Sequence, residues 1–302
     1  MKVLVSGSSG LVGSALVSSF AADGRQIVRL VRAVAVSADE IEWHPTEGTI
    51  DASALEGLDA VVHLAGENIA SRRWSERQKA RIRTSRVHST RLLCDALAKR
   101  KIPPKVLICA SAIGYYGDRG DEILDETSTM GTSFLSEICR NWEAATESAR
   151  AKGIRVVNLR FGVVLSAAGG ALAKMLLPFK LGLGGIVGSG QQYWSWIDLN
   201  DVVGAIAHSL THEQLNGPVN AVSPNPASNR DFTKALGRVL RRPTIVPIPA
   251  FAARLLLGEM ADELLLASAR VVPTALKNSG FEFQFPNLED ALKHAVERTT
   301  RI

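Results

Sequence analysis

The first twenty or so residues constrain the fold of this chain more than any other segment. The apolar run Lys2–Ser6 leads directly into Gly7, Gly10 and Gly13, spaced G-x-x-G-x-x-G, and a helix-favouring stretch continues to Asp23. Gly7 permits a tight turn after a strand, Gly10 lets the backbone approach a ligand, and Gly13 lets the helix pack closely on the strand. The free N–H groups of the first helical turn favour an anion, which in this context predicts a dinucleotide pyrophosphate. We expect the cofactor to contact Gly7, Ser9, Gly10, Leu11, Val12 and Gly13.

The end of the second predicted strand indicates which dinucleotide is bound. NAD sites usually place an Asp or Glu about 20 residues after the turn, on the ribose 2′-hydroxyl. The segment Ile27–Arg32 has no acid and ends on Arg32, with Arg29 nearby. A guanidinium can pair with a 2′-phosphate through two parallel hydrogen bonds. The sequence therefore favours NADP(H), with Arg32 at the phosphate; the alternative is a solvated basic strand end.

Short apolar runs alternate with helical stretches over the first half of the chain. The predicted strands are Lys2–Ser6, Gln26–Val31, Ala60–Leu64, Lys105–Ala110 and Arg155–Arg160, and the predicted helices are Gly10–Asp23, Ser75–Lys101 and Ser136–Lys152. Strands that are apolar on both faces are typical of a parallel sheet covered by helices. The predicted fold class is therefore α/β, a Rossmann-type doubly wound parallel sheet with right-handed crossovers.

The character of the sequence changes after Leu165, where glycines become frequent. We expect an NADP-binding domain over residues 1–165, with some later segments returning to its sheet, and a smaller C-terminal substrate lobe over residues 166–302. The elements expected near the C-terminus are an amphipathic segment Phe251–Leu257, a helix near Ala261–Val271 and an aromatic strand Phe281–Phe285. A cleft between the sheet and the lobe is the expected ligand site.

Composition narrows the class of protein further. The 302 residues are 46% hydrophobic and 22% charged, which is typical of a globular protein, and the net charge of +5 is mild. The basic segment around residues 72–91 has only Trp74 as an interleaved aromatic, so nucleic acid is not an expected partner. No run approaches roughly 18 apolar residues, and the N-terminal apolar stretch is too short for a signal peptide. We expect a cytoplasmic protein with a small-molecule substrate and no membrane partner, monomeric or homodimeric, and no metal, since its three cysteines fit no zinc spacing.

Several further motifs give the whole chain a family resemblance. They are Asp59–Ile69, Arg72–Trp74, Ser85-Arg86, Leu176–Phe179, Gly182–Gly185, Trp196–Asp198 with Asp201, and Pro273 with Gly280-Phe281. Together with the glycine turn, they resemble the extended short-chain dehydrogenases/reductases. Within these, the chain is similar to an atypical epimerase-like group related to nucleoside-diphosphate-sugar epimerases. This group carries a small extra C-terminal domain, which the resemblance places at about residues 248–297.

The resemblance implies roles for residues outside the turn. The additional cofactor contacts that we expect are Leu64, Ala65, Gly66, Arg86, Arg160 and Val164, and the substrate-pocket candidates are Glu67, Asn68, Arg73 and Trp196. Arg73 and Arg86 are the two basic residues expected to face a phosphate, whereas most of the basic cluster is expected to be a solvated face. For Trp196 the alternative is packing inside the lobe, and for Asp198 and Asp201 it is a cap or turn.

The same resemblance predicts a catalytic pair that the chain lacks. Extended family members usually act through a Ser or Thr and a Tyr-x-x-x-Lys pair, in which the Tyr transfers a proton. Alignment on Glu143 places Phe134 or Leu135 at the Tyr position and Cys139 at the Lys position, and no Tyr-x-x-x-Lys occurs anywhere. The catalytic residues are therefore unknown from sequence.

Three neighbouring side chains are candidates for the missing chemistry. The usual Ser/Thr position reads Ala112, but Ser111 precedes it, and Tyr115 and Tyr116 follow. Each could contact substrate or could be a wall residue, while His63 is expected to be structural. Two hypotheses follow: an NADP(H)-dependent epimerase-like or oxidoreductase enzyme with an altered, degenerate site and an unknown substrate, or a catalytically silent NADP(H)-binding sensor or scaffold.

Overall fold

The computed structural model describes residues 1–297, and most of its strands belong to one sheet. The strands are β1 (Lys2–Ser6), β2 (Gln26–Val31), β3 (Glu40–His44), β4 (Thr49–Ile50), β5 (Ala60–His63), β6 (Val106–Ala112), β7 (Ile123–Leu124), β8 (Arg155–Phe161), β9 (Val163–Leu165), β10 (Tyr193–Trp194), β11 (Trp196–Asp198), β12 (Gly217–Ala221), β13 (Ala227–Ser228) and β14 (Arg270–Val271). Among residues 1–297, eight of them form the sheet in the order β12-β8-β6-β5-β1-β2-β3-β4. β1 pairs in parallel with both β2 and β5, and β4 is antiparallel to β3. The central sheet is thus mostly parallel and Rossmann-like, as predicted.

Helices connect these strands and build the C-terminal part of the chain. They are α1 (Leu11–Ala22), α2 (Glu76–Ala98), α3 (Phe134–Ala144), α4 (Glu147–Ala151), α5 (Gly170–Lys180), α6 (Leu199–Thr211), α7 (Asn229–Leu240), α8 (Ala250–Leu257), α9 (Glu259–Ala261), α10 (Thr274–Asn278) and α11 (Leu288–Glu297), with a π-helical turn at Asp262–Leu266 and 3-10 turns at Ser53–Leu55 and Ile113–Tyr115. The start of α2 follows its sequence signal, because the Ser75 hydroxyl accepts the Gln78 N–H at 3.3 Å. The Gln78 side chain lies 3.5 Å from a Glu67 carboxylate oxygen.

Three predicted elements differ from the structure. The helix expected at 136–152 is two helices, α3 and α4, separated at residues 145–146. The helix expected near 261–271 gives way to extended chain after Leu266, and the strand expected at Phe281–Phe285 does not form. There the backbone N–H groups of Gln284 and Phe285 donate to the Asp201 carboxylate, at 2.7 and 3.0 Å, instead of to a neighbouring strand.

The chain divides into two compact units. Unit 1 comprises residues 1–111, 138–159 and 203–219, and unit 2 comprises 112–137, 160–202 and 220–302. These bounds differ from the sequence-based division at residue 165 mainly because 112–137 belong to unit 2 and 203–219 to unit 1.

Each unit has its own buried apolar side chains. In unit 1, Val3, Leu4 and Val5 of β1 are fully buried, and each such side chain contributes roughly 1.5–3 kcal/mol to folding. In unit 2, Trp194, Trp196 and Phe232 belong to a cluster that draws on α5, α7 and α11. The C-terminal helix therefore packs into the core of unit 2 and is not an appended tail.

Candidate cofactor and substrate site

The three glycines of the turn differ in how closely the protein's own atoms surround them. Gly7 has a φ of +69°, and a Cβ there would lie 2.8 Å from the carbonyl carbon of Leu64; a Cβ on Gly13 would lie 2.1 Å from the Gly7 oxygen. The protein's own packing therefore requires both. Gly10 has extended backbone, and the single atom within 4 Å of its built Cβ is the Gly7 oxygen, at 3.3 Å. Glycine at position 10 keeps open a space that the protein itself does not fill.

This open space lies at the start of α1. Gly10 is the N-cap of the helix and has no side chain that could accept a hydrogen bond from the first turn. The first N–H groups of a helix have no partner within it, and together with the helix dipole they attract an anion. The exposed Gly10 and the uncapped turn fit the pyrophosphate of a dinucleotide.

Arg32 follows β2 directly and is exposed. Within residues 1–297, no carboxylate lies at ion-pair distance from its guanidinium. Glu40, the acid on the next strand, instead accepts the Val36 N–H at 3.0 Å. Arg29 lies elsewhere, in a cavity of about 290 Å³ that it shares with Asp39 and Glu40. Arg32, which has no ion-pair partner among residues 1–297, is thus the arginine of the two that fits a 2′-phosphate better.

A buried chain of hydrogen bonds lies behind the turn. The His63 ring bonds the Ser6 hydroxyl through Nδ1 at 2.6 Å and the Thr90 hydroxyl through Nε2 at 2.9 Å, and Trp142 Nε1–H donates to the same Thr90 oxygen. Ser6 Oγ also accepts the Leu64 N–H at 3.2 Å. Burial lowers the pKa of His63 to about 4, so the ring is neutral. His63 is therefore structural, as expected, and it joins the end of β1 to the end of β5.

Arg86 faces the segment that follows β5. Its guanidinium carbon would lie 3.4 Å from a Cβ built on Gly66, and it sits 5.0 Å from the centre of the Trp142 ring. Burial lowers the pKa of Arg86, and the charges of Cys139 and Glu67 oppose that shift. Gly66 therefore leaves room for this cation beside the chain segment expected to line the cofactor.

Ser111 forms a hydrogen bond with a carboxylate on α3. It is buried near the carboxyl end of β6, and its hydroxyl donates to Glu143 Oε1 of α3 at 2.7 Å. The carboxyl edge of a parallel sheet is where ligands of such folds usually bind. The alignment anchor Glu143 is thus itself a functional candidate, which sequence reasoning missed because it used this residue only to align the helix.

Comparisons with known proteins identify two family models and several relatives that the chain matches. The model of the NAD dependent epimerase/dehydratase family matches residues 3–221, and that of a domain of unknown function, DUF1731, matches residues 248–295. The chain belongs to the NAD dependent epimerase/dehydratase family. It is 45% identical over 296 residues to the epimerase family protein Mb2239 of Mycobacterium bovis, with 98% of each chain covered.

Two solved structures of this family resemble the chain closely. The human epimerase family protein SDR39U1 (isoform 2), crystallised with NADPH, superposes with a TM-score of 0.90 at 35% identity, covering 98% of this chain and 99% of that one. A nucleoside-diphosphate sugar epimerase from Corynebacterium glutamicum superposes with a TM-score of 0.81 at 36% identity, covering 98% of this chain and 58% of that one.

The two tyrosines after β6 have different surroundings. Tyr116 is fully buried, and its hydroxyl lies 2.7 Å from Asn220 Oδ1 and 2.9 Å from the Asp125 carbonyl, while Arg160 donates to it at 3.0 Å. Desolvation raises the pKa of Tyr116 to about 12. The Arg160 guanidinium also lies 3.5 Å from the centre of the Tyr115 ring. These contacts favour the wall interpretation for Tyr116 and give Arg160, itself buried, a packing role.

A carboxylate from the C-terminal region caps the start of α3, which contains Phe134 and Leu135, the two residues that the sequence alignment offers for the Tyr position. Glu263 accepts the Ser133 hydroxyl at 2.8 Å and the N–H groups of Phe134 and Leu135 at 3.1 and 3.3 Å. Cys139, at the Lys position, is buried. No sequence signal links residue 263 to residue 133, because the contact is long-range.

The remaining candidates have varied surroundings. Asn68 is exposed and caps its own turn by accepting the Ala70 N–H, whereas Glu67 is half-buried and its N–H donates to the Ser85 hydroxyl. Arg73 is exposed and lines a cavity. Trp196 is fully buried in the core of unit 2, and Val164, on β9, pairs with β11. The geometry favours packing for Trp196.

Asp198 and Asp201, the two acids that follow Trp196, have structural partners. Asp198 Oδ2 lies 2.9 Å from His294 Nδ1, and Asp201 accepts the two backbone N–H groups described above. Within residues 1–297, no cluster of His, Cys, Asp or Glu is arranged to hold a metal ion. In the same part of the chain, no helix combines the length and the apolarity that a membrane crossing needs.

Proposed function

We propose that this protein binds NADP(H), with the pyrophosphate at the first turn of α1 and the 2′-phosphate at Arg32. The observation that carries the proposal is the helix N-terminus at Gly10, where the N-cap residue has no side chain to accept the first N–H groups and the atom near a built Cβ is the Gly7 oxygen, at 3.3 Å. The family model and the NADPH of the human relative support it. Leu64, Ala65, Gly66 and Arg86 would line the cofactor, with the network around His63 holding the backbone of that segment.

Thermal stabilisation by NADPH and NADH at matched concentrations tests the cofactor. One bound ligand stabilises by about 2.7 kcal/mol at 100 times its Kd, so the tighter cofactor gives the larger rise in Tm. We expect Arg32→Glu to weaken NADPH roughly 10- to 150-fold, because a charge-assisted pair is replaced by repulsion. Arg29→Glu, on the strand that leads into Arg32, is the matched control and should keep the preference for NADPH. Equal shifts for both cofactors in the wild type would contradict the assignment.

We further propose an epimerase-like or oxidoreductase activity on a small molecule, through a site that differs from the usual Tyr–Lys arrangement. The bound cofactor would supply or accept a hydride. The chain's own contribution would come from Ser111 and Glu143, whose hydroxyl and carboxylate are already in contact at the carboxyl edge of the sheet. Glu143 would hold or release a proton, and Ser111 would orient a substrate oxygen. Tyr116 would not take part, since its hydroxyl is sealed among three partners.

The absence of both Tyr and Lys from α3 favours a second candidate, a catalytically silent NADP(H)-binding sensor or scaffold. Exchange of label from the nicotinamide of deuterated NADPH, in the presence of cell extract, separates the two. Loss of label that depends on Glu143, measured with Glu143→Gln beside the wild type, supports an enzyme. Tight NADPH binding with no loss of label beyond that of extract alone supports the silent protein.

A further inference from the structure

Four arginine side chains line one small cavity in unit 1. The cavity measures about 150 Å³, lies at the start of α2, and is lined by Arg72, Arg73, Ser75, Arg77, Gln78 and Arg81. Two of the arginines come from the loop before the helix and two from its first turns. All four arginines are exposed, but they border the same space, whereas most of the basic residues of this segment are spread around the helix.

The four arginines of this cavity take part in no ion pair of the described residues, although the Glu67 carboxylate lies 3.5 Å from the side-chain nitrogen of Gln78, another lining residue. Within residues 1–297, no carboxylate lies at ion-pair distance from Arg72, Arg73, Arg77 or Arg81. The nearby Lys79, on the same helix, does pair with Glu76, at 3.8 Å. Arg77 and Arg81 are four residues apart, a spacing at which like charges destabilise a helix. The positive end of the α2 dipole adds to the same excess. The arrangement is unfavourable by itself and becomes favourable when an anion is bound.

We propose that this cavity binds a phosphoryl anion of a small molecule, at a site separate from the glycine turn. Guanidinium groups match the oxygens of a tetrahedral oxyanion through paired hydrogen bonds, and several arginines together balance more than one negative charge. The N–H groups that precede Gln78 in the first turn of α2 are additional donors. The Ser75 hydroxyl accepts the Gln78 N–H, so its proton is free to donate to the anion.

The dimensions and surroundings of the cavity favour a small ligand over a nucleic acid strand. A strand would need an extended basic groove with aromatic platforms. The aromatic residue next to the cavity is Trp74, and its indole N–H is already bonded to the Ile69 carbonyl at 2.8 Å. The cavity shares no lining residue with the glycine turn, so the proposal does not depend on NADP(H) binding.

Calorimetric titration of the full chain with inorganic pyrophosphate, with and without saturating NADPH, tests the site. The cavity variant is Arg77→Gln with Arg81→Gln. The matched control is Arg83→Gln with Arg91→Gln, which removes the same charge from the same helix outside the cavity. We expect the cavity variant to weaken pyrophosphate by at least about tenfold, the usual effect of losing a charge-assisted hydrogen bond, and the control by less than about twofold. NADPH affinity and the circular dichroism spectrum should not change in either variant.

Three results would overturn the proposal. Pyrophosphate that binds the wild type only when NADPH is absent would be occupying the cofactor site. Equal weakening in the cavity and control variants would mean a diffuse charge effect. Acetate binding as tightly as pyrophosphate would exclude phosphoryl selectivity. In a final arm, uridine diphosphate is titrated against wild type: tighter binding than pyrophosphate points to a nucleotide as the source of the phosphoryl group, and equal or weaker binding to a simpler phosphate. Failure of NADPH to bind would contradict the proposed function and leave the arginine comparison intact.

Discussion

The buried His63 should make the stability of the protein depend on pH in a direction and by an amount that follow from its environment. Burial lowers the pKa of His63 from 6.5 to about 4 in the folded chain, so the unfolded chain takes up a proton that the folded one excludes. The stability that the neutral ring provides is therefore fully present above the unfolded pKa and is lost as the pH falls from 6.5 towards 4. The whole difference corresponds to about 3 kcal/mol in the free energy of unfolding, of which about 2 kcal/mol is lost by pH 5.

His63→Gln should remove this dependence, because an amide does not titrate and can still bond Ser6 on one side and Thr90 on the other. The free energy of unfolding would be measured by urea denaturation near pH 7.5 and near pH 5 for both proteins. The wild type should lose about 2 kcal/mol more than the variant, since every other titrating group is present in both. Equal losses, or an NMR titration of the His63 ring with an ordinary pKa, would refute the reasoning that burial holds the ring neutral.

Three further substitutions have expected outcomes. Gly10→Val should abolish NADPH binding in a titration, because the new side chain fills the space proposed for the anion. The circular dichroism spectrum should stay native, because the Cβ at position 10 meets only the Gly7 oxygen, at 3.3 Å. Retained binding would mean that the turn does not hold phosphate. Gly13→Ala should instead lower the free energy of unfolding in urea by about 1–3 kcal/mol, because its Cβ would lie 2.1 Å from the same oxygen; an unchanged value would contradict the close packing. Leu135→Tyr with Cys139→Lys, which restores the Tyr-x-x-x-Lys spacing, should not create a robust dehydrogenase in an NADPH oxidation assay against carbonyl compounds and sugar nucleotides, because the new Lys replaces a buried thiol and the Ser/Thr position stays Ala112. A large activity in that double variant alone would show a pocket still built for the usual mechanism.

The parts of the fold that follow from local pattern were predictable. The strand Lys2–Ser6 has the predicted bounds, because its apolar side chains are fully buried in the middle of a parallel sheet, where composition and structure agree. The start of α2 was equally predictable, since the cap is local: the Ser75 hydroxyl accepts the N–H of Gln78, three residues later. The longer prediction at 136–152 missed the break between α3 and α4. There the Thr146 hydroxyl bonds the Glu143 carbonyl at 2.7 Å, a local competition that apolar spacing does not register.

The parts of the site that depend on distant partners were not predictable. His63 was assigned a structural role, but its bonds to Ser6 and Thr90 join residues 57 and 27 positions away. The aromatic run at Phe281–Phe285 has the composition of a strand, yet the Asp201 carboxylate takes the N–H groups that a strand would need. Tyr116 shows the same limit, because only the fold reveals that Arg160 and Asn220 enclose its hydroxyl. Sequence identifies such residue types but not their partners.

The cap that Glu263 provides for α3 bears on how this chain can be engineered and how it can have evolved. A single carboxylate from the C-terminal region satisfies the first N–H groups of a helix more than a hundred positions earlier. Caps of this kind are worth about 0.5–2 kcal/mol, so a truncation before residue 263 would fray that helix at its first turn. The C-terminal region consequently cannot be removed without destabilising the first turn of α3. Any lineage that lost it would need a new acid, or a Ser or Asp at the helix start, to keep the same helix in place.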